Sequence, residues 1–334
     1  MDVLLDFLST FASQLQKPTL AFLIGGVLIA ALGSNLTIPD PIYRFIVFML
    51  LITIGLRAGM ELREADLLSM LLPALFALAL GVGIVVIGAL VLNRLPRLKA
   101  DDNYATAGLF GAVSASTLAA AMVVLDEENI PFEAWAPALY PFMDIAALLA
   151  AIVLAQVARQ KRNRDGEKAD IKAIVVDSLR GSAISALLLG MGLGLVTRPD
   201  SVVESFYDPL FRGLLSILML ILGMEAWARM SELAKVAHWY AIYGVAAPLL
   251  NGLAAFGLGY VAHVLTGFSP GGVVLLAVMA GSSSDISGPP TLRAGIPGAN
   301  PSTYIGSSTA VGTPVAIAIG IPLYVALAQL VFDL

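Results

Sequence analysis

The sequence predicts an all-α membrane protein of about ten transmembrane helices, arranged as two inverted five-helix repeats with broken helices in spans four and nine. Three observations predict it. The composition is too apolar for a soluble chain, the apolar residues fall into membrane-length stretches, and a short pattern recurs half a chain apart. Of 334 residues, 58% are hydrophobic and 13% charged, with mean hydropathy +0.88. Soluble domains carry about 25% charged residues, and a folded chain of this size still needs a polar surface unless lipid covers it.

A helix needs about 20 apolar residues to cross the hydrocarbon. Stretches of that kind fall at 18–36, 41–60, 70–93, 103–125, 134–158, 178–197, 207–227, 237–265, 270–292 and 302–332. Small polar residues interrupt the fourth and ninth. Residues 1–17 carry Asp2 and Asp6 among Val3, Leu4, Leu5, Phe7, Leu8 and Phe11. That pattern predicts an amphipathic helix lying at the interface and lacks the basic start of a secretory signal. The domains are then the interfacial helix at 1–17, a first repeat at 18–158, a loop at 159–172 and a second, inverted repeat at 173–334.

Positive charge sets the orientation. With connections numbered alternately, one side collects Arg44, Arg94, Arg97, Lys99, the basic run from Arg159 to Lys172, Arg180, Arg229, Lys235 and Arg293. The other collects only Lys17, Arg57, Arg63, Arg198 and Arg212, together with the acidic run Asp126-Glu127-Glu128. The first side is cytoplasmic, so the 159–172 loop lies inside and both termini are periplasmic.

The repeat shows in two helix starts. Asp40-Pro41-Ile42-Tyr43-Arg44 opens the second span, and Asp208-Pro209-Leu210-Phe211-Arg212 opens the seventh, 168 residues on. Gly55 matches Gly223 and Ala58 matches Ala226 at the same offset, while Gly111 and Ser114 fall near Gly281 and Ser284. Asp before Pro is also an ordinary helix start, but its recurrence with a following matched glycine marks a repeat. Five spans per half turn the second copy upside down, the architecture in which secondary transporters hold substrate near the midplane.

The ninth span contains Gly281-Ser282-Ser283-Ser284-Asp285, then Ser287-Gly288-Pro289-Pro290. Proline removes a backbone donor and clashes with the preceding turn, and freed backbone groups in hydrocarbon must be satisfied by protein or a wet cavity. Two half-helices meeting at 282–288 are therefore expected, and a matching break near 113–117, in Gly111-Ala112-Val113-Ser114-Ala115-Ser116-Thr117. A half-helix start offers unpaired N–H groups and partial positive charge to an anion. The hydroxyls of Ser114, Ser116, Thr117, Ser282, Ser283 and Ser284 add donors, and with free carbonyls they also suit sodium. With no cationic side chain nearby, the pocket fits a compact, weakly charged anion. The plainer reading is that small residues let helices pack closely, which explains Ser114 and Ser116 but not the serine run before Gly-Pro-Pro.

Asp285 and Asp144 are the acids set deepest in spans, and such acids are costly and usually functional. Asp285 beside an anion is cast as a sodium ligand or proton carrier, or else as a cap on the following half-helix. Asp144, Ser287 and Ser116 are further candidate sodium ligands, and Asp144 otherwise caps or pairs structurally. Arg57 and Glu225 sit near span ends, where snorkelling to water accounts for them.

Several functions are excluded or disfavoured. The chain has no cysteine, and only His238 and His263 offer imidazole, both near span ends. This rules out thiolate chemistry and argues against a transition-metal site or a catalytic Ser/His pair. The net charge of −5 is mild and says little about partners, but the sequence has no basic stripe of the kind nucleic acid requires. A channel needs a continuous wet pore, against which paired breaks argue. A carrier for another small anion, such as a monocarboxylate, and a non-transporting membrane sensor stay open.

Asn300-Pro301-Ser302-Thr303-Tyr304-Ile305-Gly306-Ser307-Ser308, with Gly320-Ile321-Pro322-Leu323-Tyr324, resembles the cyanobacterial sodium-dependent bicarbonate transporters of the SbtA type. So do the two Asp-Pro starts, Arg57-Ala58-Gly59-Met60-Glu61-Leu62 and the stretch from Ala112 to Ala121. The resemblance implies a symporter, not an enzyme, that imports bicarbonate with sodium across the plasma membrane for carbon concentration. It implies no cofactor beyond sodium as coupling ion. It also implies a homotrimer with core and gate subdomains, inhibited by a PII-like protein of the SbtB type on the cytoplasmic face. Substrate residues carried over are Ser114, Ala115, Ser116 and Thr117 from one break and Gly281, Ser282, Ser283 and Ser284 from the other. Asp285 and the double proline at 289–290 depart from the family pattern.

Overall fold

The structure, a computed structural model, describes residues 18–63, 67–162, 176, 180, 182–233, 238–285 and 287–334. The expected interfacial helix at 1–17 and all of the 159–172 loop beyond Arg162 lie outside the described residues. Twelve helices carry the fold. They are α1 (Pro18–Ala31), α2 (Asp40–Leu62), α3 (Leu67–Arg94), α4 (Ala100–Gly111), α5 (Ala115–Glu127) and α6 (Tyr140–Arg162). They continue as α7 (Ser182–Val196), α8 (Asp208–Leu233), α9 (His238–Thr266), α10 (Pro270–Ala280), α11 (Gly288–Gly295) and α12 (Pro301–Phe332). No strand occurs among the described residues.

Among the described residues seven stretches are long and apolar enough to cross a membrane, counting Ala100–Glu127 as one, and three shorter apolar helices lie at Ala21–Ala31, Ser185–Val196 and Pro270–Ala280. The all-helical expectation holds among the described residues, and three of the ten expected spans fall on these shorter helices. An all-helical solution follows from the solvent, because a chain in hydrocarbon must pair its backbone groups within each segment.

Local signals set the ends. Pro41 follows Asp40 in the first turn of α2, where a missing N–H costs nothing. Ser269 caps α10 by accepting from the Gly272 N–H at 2.9 Å. Glu133 in turn accepts from both the N–H and the hydroxyl of Ser269, at 2.7 and 2.6 Å. Within α12, Pro314 and Pro322 each follow a π-helical turn, Ser308–Gly312 and Ala316–Gly320. Widening the turn accommodates a residue that can neither donate nor fit against the carbonyl four positions back.

Packing divides the helices into two groups. α1 lies against α8, and α2 lies against α7 and α8. The second group joins α3 to α4, α6 and α9, and α10 to α5, α9 and α12, and it meets the first where α8 packs against α12 and α5 against α2 and α8. Glycines permit the closest approaches of the first group. A Cβ on Gly26 of α1 would meet the Leu220 carbonyl and Gly223 of α8, and one on Gly55 of α2 would meet the Leu187 carbonyl and Gly190 of α7. Without hydrophobic pressure between helices in lipid, such backbone contact supplies the attraction.

Arg57 corrects an expectation. Instead of snorkelling to water, it gives two hydrogen bonds to Asp208 Oδ1 at the start of α8, at 3.0 and 2.7 Å. Its guanidinium also lies 5.4 Å from the centre of the Phe211 ring. The side chains keep 29% and 35% exposure, so screening trims the pair's worth. A double-mutant cycle on Arg57→Ala and Asp208→Ala, read by thermal denaturation in detergent, is expected to give a coupling of about 1 kcal/mol. Additive single effects would show that the pair contributes nothing.

Candidate functional site

The fourth and ninth expected spans both lose helical geometry in mid-course. α4 ends at Gly111 and α5 begins at Ala115, and α10 ends at Ala280 and α11 begins at Gly288. The non-helical residues are 112–114, 281–285 and 287, close to the 113–117 and 282–288 read from sequence. Ser116 and Thr117 accordingly sit in the first turn of α5 instead of in the gap.

The two gaps touch each other. The Ser114 N–H donates to Ser282 Oγ at 2.9 Å, and the Ser284 N–H donates to the Leu109 carbonyl at 2.9 Å. Ser282 passes its own proton to the Met279 carbonyl at 2.8 Å. Ser114 caps α5, accepting from the Thr117 N–H at 3.2 Å and the Thr117 hydroxyl at 2.9 Å, and it shares a proton with Ser116 Oγ at 2.9 Å. Ser284 caps α11 by accepting from the Gly288 N–H at 2.9 Å. Ser283 accepts from Ser308 at 2.9 Å and lies 3.4 Å from Thr313 Oγ1, both on α12. The structure therefore brings together every serine and threonine singled out from sequence, all of them buried, with Ala115 and Gly281 buried beside them.

Their arrangement differs from an open polar pocket, because the hydroxyls are satisfied within each gap and by α12, and the Ser114 N–H and the Ser116 hydroxyl bond across the junction. The donors also differ from expectation at the second break. Pro289 and Pro290 occupy the first positions of α11 and bring no N–H, and the Gly288 N–H goes to Ser284. The dipole of α11 remains, but its first turn has lost the amide donors an anion would use. The first-turn N–H groups of Ala115 and Ser116 in α5 are not taken up by these bonds. An anion entering here would exchange the Ser114–Ser282 contact for contacts of its own, and burial without such replacement would be costly.

Asp144 and Asp285 take different places. Asp144, fully buried on α6, accepts from the Val113 N–H at 3.0 Å and from Ser287 Oγ at 3.1 Å. One carboxylate thus ties both gaps to α6. Ser287 also lies 3.0 Å from Ser284 Oγ and 3.4 Å from the Tyr140 hydroxyl. Asp285 Oδ2 accepts from Ser116 at 2.7 Å and from Tyr43 of α2 at 3.3 Å. Its Oδ1 is buried and has no hydrogen-bond partner among the described residues.

Asp285 and Thr313 line a cavity of about 600 Å³, which also meets Asp40, Arg44, Glu225 and Arg293. These four belong to the start of α2, the α8 end opposite Asp208 and the end of α11, so the cavity reaches one face of the helix array. On the other face Arg57 holds Asp208, and Arg212 of α8 approaches Asp126 of α5 at 4.0 Å. Among the described residues no group of three or more His, Asp or Glu side chains gathers as a metal centre. A cation at Asp285 would therefore be held by one carboxylate with hydroxyl and carbonyl oxygens, a donor set suited to a hard ion.

Residues 18–329 match the Na+-dependent bicarbonate transporter superfamily. The chain belongs to this family. No curated protein matched it. Membership agrees with the resemblance read from the motifs and makes transport of bicarbonate with sodium the family's activity. Sequence reasoning passed over Tyr43, Ser308, Thr313 and Tyr140 as site residues. Tyr43 was visible inside the first Asp-Pro start, and Ser308 and Thr313 as hydroxyls ahead of Pro314 in an apolar span, but nothing in either segment names its distant partner.

Proposed function

We propose that this protein is a secondary active transporter that carries bicarbonate with sodium into the cell across the plasma membrane by alternating access. The observation that carries the reading is the junction of two helix gaps beside a carboxylate with a buried oxygen unpartnered among the described residues, at a cavity reaching one face, in a chain of a sodium-dependent bicarbonate transporter family. The anion sits between the gaps, drawing on the α5 N-terminus, Ser114, Ser116, Thr117 and Gly281 to Ser284. Sodium sits at Asp285 with Ser116. Asp144 and Ser287, engaged with each other and with both gaps, hold the junction together.

The inverted repeat is supported by reciprocal packing. α1 lies on α8 as α7 lies on α2, with a glycine pair at each crossing, and α3 meets α4 as α9 meets α10. Helices related by a two-fold axis would pair in this crosswise manner. The repeats at 18–158 and 173–334 are assigned on that ground. With the basic side cytoplasmic, the cavity faces the cytoplasm and both termini face the periplasm. A homotrimer and a PII-like partner are proposed on the family resemblance.

Labelled bicarbonate uptake into proteoliposomes tests the reading. An inward sodium gradient is expected to raise uptake well above the rate with potassium in its place. Single cysteines, introduced into a chain that has none, give the topology: a thiol at 165 is expected to resist an impermeant reagent applied outside intact cells. Uptake indifferent to sodium would defeat the coupling, and preferential uptake of a monocarboxylate would move the substrate assignment to the other small-anion class.

A further inference from the structure

We propose that Tyr43 is a positioning residue that weakens the hold of Asp285 on the coupling cation while the cavity is open, and so promotes release of that cation into it. The inference rests on the cation reading of Asp285 and concerns a residue that reading does not assign.

The geometry singles out Tyr43 because its contact crosses between the two helix groups. Tyr43 belongs to α2 in the first group, whereas Asp285 lies in the gap between α10 and α11 in the second. Ser116 reaches the same carboxylate oxygen at 2.7 Å from within the second group. Both Tyr43 and Asp285 line the cavity. At the far face another polar contact crosses the same seam, Arg212 of α8 with Asp126 of α5. The structure thus has an exposed ion pair across the seam at one face and a cavity at the other.

Alternating access requires the two groups to shift relative to each other. A contact within one group, such as Ser116 with Asp285, survives that shift, while a contact across the seam is made or lost with it. The Tyr43 hydroxyl donates to Asp285 Oδ2. A donated proton offsets part of the carboxylate's negative charge, so the donor on Oδ2 competes with a cation at the unpartnered Oδ1 for the charge the two oxygens share. With the cavity open, Tyr43 supplies this competitor and the cation is held less tightly. With the groups shifted, the carboxylate loses the competitor and binds more strongly on the loading side. At 3.3 Å the bond is long, so the effect belongs at the lower end for a hydrogen bond to a charged group, about tenfold in affinity.

Equilibrium binding of radiolabelled sodium to the purified full-length protein in detergent, without any anion, decides this. Tyr43→Phe is expected to bind sodium about tenfold more tightly and, in proteoliposomes, to show a lower maximal uptake rate. In an Asp285→Asn background the same change is expected to have no further effect on sodium binding, a non-additivity that a merely structural tyrosine would not produce. If Tyr43→Phe does not fold, Tyr43→Leu removes the same hydroxyl and carries the same expectation. Unchanged or weaker sodium binding in the folded variant overturns the role of Tyr43 and leaves the transport reading standing. A wild-type protein that binds no sodium overturns the cation reading and this inference together.

Discussion

Asp144→Ala is expected to destabilise the protein by about 3 kcal/mol or more and to abolish bicarbonate uptake, the largest effect of any single change in the site. The carboxylate accepts one hydrogen bond from the Val113 amide of the first gap and one from the Ser287 hydroxyl of the second. Each hydrogen bond to a charged group contributes about 1.5–3 kcal/mol, and a buried donor left without a partner costs a further penalty of about 1–3 kcal/mol. The site has no water-facing side to relieve that penalty, since Asp144, Val113 and Ser287 are all buried. Asp144→Asn separates geometry from charge. Its amide oxygen can still accept from Val113, while its NH₂ meets a Ser287 hydroxyl that must reverse, so an intermediate loss of stability is expected. Thermal unfolding in detergent, paired with uptake, checks both variants. A fully stable Asp144→Ala protein would show that the gaps hold their shape without this tie.

How much of this was legible in the sequence depends on the distance over which each feature is specified. The spans are local: apolar length fixes them, and among the described residues seven helical stretches are long and apolar enough to cross a membrane. The gaps are nearly local. Gly288-Pro289-Pro290 cannot continue a helix, and the repeat transferred that inference to Ser114 and its neighbours. The shift at the first gap, one residue at its start and three at its end, has a physical cause. Ser114 acts as the cap of α5, so Ser116 and Thr117 fall inside the helix it starts. The same two prolines that reveal the second gap also strip donors from α11, a consequence of covalent structure that the half-helix argument overlooked. Partnerships across the fold were not legible. Arg57 looked solvent-directed because its acid lies 151 residues away on another helix, and Tyr43 was one letter of a helix-start motif until α2 was placed beside Asp285. The repeat could have helped, because it sets Arg57 and Asp208 at positions matching Glu225 and Asp40. Those two are both acids and line the cavity, so the repeat carries position without carrying charge.

Asp285→Asn is expected to raise the sodium concentration for half-maximal uptake by about a hundredfold while leaving bicarbonate affinity at saturating sodium nearly unchanged. The carboxylate is the one acid that lines the cavity and also reaches the junction of the gaps. Ser116 and Tyr43 donate to one of its oxygens, and the other is buried without a partner among the described residues. A buried anionic oxygen left unpaired is expensive, and a monovalent cation removes the cost. At an effective dielectric of about 20, two unit charges about 4 Å apart attract by about 4 kcal/mol. Asparagine keeps the shape and one acceptor oxygen, so part of the ligation survives the loss of charge, which leaves about a hundredfold as the net effect. The anion should be much less affected, because its donors are the α5 amides and the serine hydroxyls, none of which the substitution removes. Sodium activation curves for wild type and Asp285→Asn, each repeated across a bicarbonate series, separate the two affinities. Equal loss in both would mean that Asp285 shapes the junction as a whole. An unchanged sodium curve would leave Asp285 a structural acceptor for Ser116 and Tyr43, and the coupling ion would have to bind elsewhere.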